Sequence, residues 1–504
     1  MTVATTREEL YPPATTTVVP RRRTTTGWIV AGTIIIGVAL RLWLAFGPLG
    51  RPDSDEAVVG LMALRLLHHG QLTAFYWGQS YGGSLEAILV APFLALLGTT
   101  TLALKLPTIL LGFTSSWLIW RIARHFFAPT VAATAALLSL FWPVALVWFG
   151  AKERGFYPVT AALGLATVLA AVVIDEQPSR KWLWFGMGVA TGVGWWMSPN
   201  IAYYALPILV WLCLRGHWRE FRGTAVAVVG VLLGSSVWLA ANLQSGFASL
   251  SGPGSGASTY SSRFSFFWTQ GLPFAAGLRL PWGAEWIFSQ RFGVAVGLFA
   301  LATLWIAIVL SSRGARGWLQ SPELLLLAMS PFIFAVFPVN WRLVEGRYLY
   351  FVASILPLVM CRVLLSRAGQ LILLAIVAVT PVAFFRDYRR LDATIRPSTT
   401  AMAHKLSEAG YRTAIADYWV AYQMTFDSNE VIIASPTPGR DATYRRDVLT
   451  SAPAYVFSTR GRRHADGWLL TELRAARIPY RTIRVPNFVA VLPQSRYITH
   501  HQVR

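Results

Sequence analysis

Residues 28–56 read WIVAGTIIIGVALRLWLAFGPLGRPDSDE. From Trp28 to Phe46 the run is almost wholly apolar and about 19 residues long, enough to carry a helix across the hydrocarbon core of a bilayer. Just beyond it stands Asp53-Ser54-Asp55-Glu56, three carboxylates in four residues. The order places these acids in water at the membrane surface. Asp55 and Glu56 also open a helical pattern, where the helix dipole favours negative charge, so the run reads equally as a solubilised helix N-terminus. Neighbouring carboxylates resist simultaneous ionisation, and one of them is expected to hold its proton more tightly, as a base must.

The rest of the chain agrees with a membrane setting. Of 504 residues, 55% are hydrophobic and 13% charged, and the mean hydropathy is +0.49. A soluble protein of this length is not so composed. Apolar blocks run from Trp28 to about Phe385, and polar sequence follows Arg386. This predicts a disordered cytoplasmic tail over 1–26, a polytopic α-helical membrane domain over 27–385 and an extracytoplasmic α/β domain over 386–504. The net charge of +21 does not imply nucleic acid, because many basic residues sit in short loops between apolar blocks. Arg21-Arg22-Arg23 before the first block reads as a retained signal-anchor. Cys213 and Cys361 are the two cysteines; they support neither a disulfide framework nor a zinc site. No cofactor is expected, and a divalent metal stays open.

About 11 spans are expected, at 28–46, 102–120, 130–149, 157–174, 182–198, 200–214, 224–242, 287–310, 323–338, 348–364 and 369–385. The basic loops at Arg121/Arg124, Arg180/Lys181, Arg215/Arg219/Arg222, Arg313/Arg316 and Arg362/Arg367 then all face the cytoplasm, and the C-terminal domain lies outside. Residues 47–101 form the first outside loop. Within it, 56–69 and 84–97 read as helices lying in the outer interface. The C-terminal domain shows helices near 399–409, 441–450 and 465–477. Strands are expected at 412–417, 430–434, 454–458, 480–485 and 488–492.

Further candidates gather on the same outer side. Lys152 and Arg154 flank Glu153 in the second outside loop, suited to a lipid phosphate as a point charge and a planar fork. Arg342 and Arg347-Tyr348 stand before a late span, with Arg347 at phosphate depth. Arg41 lies near the outer end of the first span, where a charge needs a partner, either Asp55 or a substrate phosphate. Gln79, Tyr81 and the glycines Gly82-Gly83 read as a plain interfacial loop, with a tight turn near a ligand as the second reading, and Glu86 adds another carboxylate. Trp195, Trp196 and Trp282 belong to the interface and core, with sugar stacking a further use. His68 and His69 lack metal partners at useful spacing.

Arg41 in the first span, Asp55-Glu56 in the first outside loop, the helix 84–97 leading through Leu104-Lys105-Leu106-Pro107 into the second span, Gly194-Trp195-Trp196-Met197-Ser198-Pro199, and Arg347-Tyr348 heading a late span resemble, in order and topology, the GT-C superfamily of integral-membrane glycosyltransferases. The similarity is to the branch of protein mannosyltransferases and lipid A aminoarabinose transferases (glycosyltransferase family 39-like), over residues 28–365. Two stretches depart from that pattern, Tyr81-Gly82-Gly83-Ser84 and Lys152-Glu153-Arg154-Gly155. The resemblance implies a polyprenyl-phosphate-linked sugar donor, an envelope glycan, lipid or protein acceptor, and inversion with Asp55 as base, Glu56 second and Asp53 third. It implies that Lys152, Arg154, Arg347 and Arg41 hold the lipid phosphate. The competing readings are a flippase or transporter of lipid-linked saccharides and a non-catalytic membrane scaffold. Charges at the outer ends rather than at the bilayer midplane favour surface chemistry.

Overall fold

The computed structural model describes residues 23–250, 258–282, 285–287, 289–291, 294–295, 321–337, 346–367, 369–371, 397–460 and 466–498. Arg21, Arg22, Arg313, Arg316, Arg342 and nearly all of the expected spans 287–310 and 369–385 lie outside them.

The apolar blocks form helices α1 (Arg23–Phe46), α2 (Ser54–His69), α3 (Leu85–Leu97), α4 (Thr101–Ala123), α5 (Pro129–Leu138), α6 (Val144–Phe149), α7 (Tyr157–Glu176), α8 (Lys181–Met197), α9 (Ala202–Leu214), α10 (Phe221–Gly234) and α11 (Ser236–Ser245). Among the described residues, α4 and α7 are long and apolar enough to cross a membrane, and α10 with α11 is a third span if their 59° bend is taken as one. The expected count of 11 therefore rests on the sequence. The block 130–149 is not one helix but two, α5 and α6, parted at Pro143, which has no amide hydrogen to continue the ladder. The block 224–242 is likewise bent, at Ser235.

Packing inside the membrane part follows the rule that small residues let helices approach. At Gly188 on α8 a Cβ would stand 2.1 Å from the carbonyl oxygen of Ala227 on α10, so any larger residue would push the pair apart. The helix Tyr350–Val363 runs through the middle of the bundle and is buried on nearly every side.

The C-terminal unit is a five-stranded sheet of β1 (Thr413–Ala416), β2 (Ile433–Ser435), β3 (Ala454–Ser458), β4 (Tyr480–Val485) and β5 (Phe488–Pro493), in the order β2-β1-β3-β5-β4. The first three strands are parallel, and β5 pairs antiparallel with both β3 and β4. Four of the five fall at the expected positions; β2 begins three residues later than the expected 430–434 and overlaps it only at Ile433 and Ala434. The helix Tyr418–Asp427 went unread between two expected strands. Its residues Val420 to Phe426 are all buried, so no polar face marks a helical period.

That helix also corrects the reading of 56–69 as an interfacial helix. The first three turns of α2, from Ser54 to Leu64, are buried. They pack on α3 and on the helix Tyr418–Asp427. At Gly60 a Cβ would stand 2.3 Å from the ring of Phe426. Arg65 closes the seam with an ion pair to Asp441 at 2.8 Å and lies over the rings of Trp77 and Tyr444.

Candidate active site

The first turn of α2 builds the site. Asp53 caps the helix by accepting from Glu56 N at 3.1 Å, while Glu56 Oε2 accepts from Asp53 N at 3.0 Å. This reciprocal capping box satisfies two orphan amides and fixes where Asp55 stands between them. The three acids are not in water, as the sequence suggested: Asp53 is 3% exposed, Asp55 7% and Glu56 1%. Burial of charge needs partners, and each acid has them.

Asp53 Oδ2 accepts from Arg154 Nη2 at 2.7 Å and from Lys152 Nζ at 3.1 Å. Glu56 forms an ion pair with Lys105, which is fully buried, and its Oε1 also accepts from Glu153 N at 3.1 Å. Asp55 Oδ2 accepts from Arg154 Nη1 at 3.0 Å and from Arg347 Nη1 at 3.2 Å. Asp55 Oδ1 accepts from the Tyr418 hydroxyl at 2.5 Å, with Arg440 Nη2 at 3.8 Å. Tyr76 donates to the Asp55 backbone carbonyl at 2.8 Å. Arg440 lies between the rings of Tyr76 and Tyr418, at 5.2 and 4.4 Å from their centroids. Its Nη1 is buried and makes no hydrogen bond among the described residues.

Glu86 and Glu153, both fully buried, are carboxyls that burial pushes upward. Glu86 Oε1 accepts from Val159 N and Glu153 Oε1 from Gly155 N, each at 3.1 Å. Each carboxyl acts on the other's titration, and Glu86 Oε2 and Glu153 Oε2 are buried without a hydrogen bond among the described residues.

Thus Asp53, Asp55, Glu56, Lys152, Arg154 and Arg347 form one cluster. Tyr81 borders it: Arg347, Arg440 and Asp55 act on its hydroxyl, although burial is the main cause of its raised pKa. Gln79 is close in sequence to these groups, and its Oε1 is buried without a hydrogen bond among the described residues. Tyr348 flanks Arg347, which lies over its ring at 5.4 Å. Arg41 does not join them. It is buried between the first three apolar blocks, donating to Leu140 O at 2.9 Å and to Gly37 O at 3.3 Å, over the ring of Phe113. Backbone carbonyls and a ring face take the place of Asp55, one of the two partners expected for it. At Gly82 (φ +76°) the space a Cβ would fill holds the ring of Phe156, so this turn serves packing. Trp196 donates to Ala74 O and Trp282 packs on Trp148, both as structural residues. Lys105, Tyr76, Tyr418 and Arg440 were not singled out for the site in the sequence. Among the described residues no group of three or more His, Cys, Asp or Glu is placed to hold a metal ion.

Known proteins match this arrangement in two ways. Residues 85–240 match the family described as dolichyl-phosphate-mannose-protein mannosyltransferase. In fold, the chain superposes on ArnT from Cupriavidus metallidurans in the apo state with a TM-score of 0.62 at 13% identity, covering 92% of this chain and 98% of that one. The chain shares the fold of that enzyme. ArnT bound to undecaprenyl phosphate gives a TM-score of 0.61 at 14% identity, over 93% and 98% of the two chains. The Archaeoglobus fulgidus oligosaccharyltransferase in its apo form gives a TM-score of 0.50 at 11% identity, over 87% and 71%. No curated protein matches the sequence. The likeness of fold covers nearly the whole chain, helical part and C-terminal sheet together.

Proposed function

We propose that the chain transfers a sugar from a polyprenyl-phosphate donor to a hydroxyl of a cell-envelope acceptor at the outer membrane face, with inversion, using Asp55 as base. The observation that carries this reading is the convergence on Asp55 of donors from three distant regions: Arg154, Arg347 and Tyr418. The ArnT structure with undecaprenyl phosphate supports the donor class. In the step, the acceptor oxygen bonds to the anomeric carbon as that carbon's bond to the phosphate oxygen breaks. The polyprenyl phosphate leaves with the electron pair, and the acceptor proton passes to Asp55 Oδ1. The two guanidiniums on Oδ2 aim the carboxylate, and the acceptor hydroxyl takes the place of the Tyr418 hydroxyl on Oδ1.

Arg347, Lys152 and Arg440 are the phosphate partners in this reading. Arg440 contributes the Nη1 group that has no hydrogen bond among the described residues, and preset donors of this kind stabilise a developing phosphate charge. Arg154 orients Asp53 and Asp55. Glu56, with both oxygens engaged and almost no exposure, is a positioning residue rather than a second base. The enzyme is multi-pass, with its N-terminus cytoplasmic and its C-terminal unit outside.

The test is transfer of labelled sugar from a panel of polyprenyl-phosphate sugars in membranes, wild type beside Asp55→Asn. Label reaching an acceptor with wild type alone supports the reading; equal transfer by both removes Asp55 as base.

A further inference from the structure

A crevice of about 760 Å³ opens in the C-terminal sheet, beside the cluster just described. It lies at the carboxyl ends of β1, β2 and β3. Strand order makes this a switch point, since β1 has its two parallel neighbours on opposite sides. Open α/β sheets bind ligands at such points, and the volume falls within the range of small-ligand pockets. Tyr418 lines the crevice and also bonds Asp55. Whatever fills it therefore lies one side chain from the carboxylate.

The chemistry of the lining selects the occupant. Its rings are Tyr418, Tyr455, Phe457 and Trp468. Trp468 is 45% exposed, and its indole meets Phe457 edge to face at 6.1 Å, which steadies it while leaving ring surface open. Among the described residues, Asp417 and Arg460 add one charge of each sign. A phosphate or nucleotide does not fit. In dinucleotide-binding crevices the phosphates sit on a glycine-rich turn at a helix N-terminus. Here a single residue, Asp417, joins β1 to the helix Tyr418–Asp427, and its carboxylate already accepts from Trp419 N at 2.9 Å. Flat ring faces beside hydroxyl, carboxylate and guanidinium groups suit a neutral, hydroxyl-rich ligand with apolar C–H faces.

We infer that this crevice is a binding site for a neutral oligosaccharide, which it holds so that one hydroxyl reaches Asp55. As an acceptor subsite it rests on the transferase reading; as a glycan site it does not. The experiment uses the full chain in lipid nanodiscs, with mannotetraose, maltotetraose and laminaritetraose as neutral probes and uridine monophosphate and inorganic phosphate as anionic ones, read by calorimetry and saturation-transfer NMR. At least one neutral probe is expected to bind. Trp468→Ala is expected to weaken it by about tenfold, the loss of one or two ring contacts, and Ser458→Arg to block it by filling the crevice. Asp55→Asn should bind the same probe as wild type, which separates failure of the base from failure of the crevice. If no neutral probe binds, if binding survives both crevice variants unchanged, or if an anionic probe displaces the sugar, the inference is overturned.

Discussion

Asp55 owes its position to short-range chemistry and its surroundings to long-range chemistry. The capping box between Asp53 and Glu56 sets the backbone of the first turn of α2. Its partners Arg154, Arg347 and Tyr418 come from 99, 292 and 363 residues away. Asp55→Asn keeps size and hydrogen bonding to the guanidiniums but loses proton affinity. Transfer is expected to fall by about 10²–10⁴-fold, with unchanged secondary structure by circular dichroism. Arg440→Ala is expected to raise the KM for donor more than it lowers kcat, since it removes a phosphate partner; steady-state kinetics with varied donor checks this. The Glu86–Glu153 pair predicts a pH effect. Burial holds both carboxyls above their ordinary value of 4.5. The folded state thus binds more protons than the unfolded one above that value. The pair's contribution is fully present below about 4.5 and is lost as pH rises through the raised folded value. Glu153→Gln should flatten the decline of thermal stability with rising pH in that window, measured as melting temperature against pH.

The element that matters most to the site is the one least visible in the sequence. The helix Tyr418–Asp427 has no polar face to betray its period, because one side meets the sheet and the other meets α2. Its contact with α2 depends on Gly60, where Phe426 occupies the space of a side chain. Gly60→Val would force the two helices apart. Overpacking of this kind costs about 1–3 kcal/mol, and the expected outcome is faster proteolytic release of the C-terminal unit with α4 and α7 left intact, followed by limited proteolysis. By contrast, the helices over 157–174 and 348–364 and the strands β3, β4 and β5 were legible to within a few residues. Their apolar length or alternation reports local burial directly.

Across the molecule, the membrane part and the C-terminal sheet close on each other over α2, and the candidate site lies in that seam. The ion pair between Arg65 and Asp441, with side chains 15% and 9% exposed, fastens it. Asp441→Asn removes the charge and one of its hydrogen-bond acceptors, a loss of about 1.5–3 kcal/mol for bonds to charged groups. Hydrogen exchange should speed up across 418–427, and transfer should fall although no proposed catalytic residue has changed. Unaltered exchange there would separate docking from activity.

From composition and periodicity alone came the membrane setting, the α/β character of the tail and most of the acids and cations that the structure gathers at the candidate site, because charge and apolar length act within a few turns of chain. Which cation meets which acid was beyond that reach. Arg41 took backbone carbonyls instead of Asp55, Lys105 took Glu56, and Tyr418 and Arg440 entered from the far end of the sequence. Ion pairs buried in a seam between two folded units depend on how those units dock, and no local pattern encodes a contact between residues hundreds of positions apart.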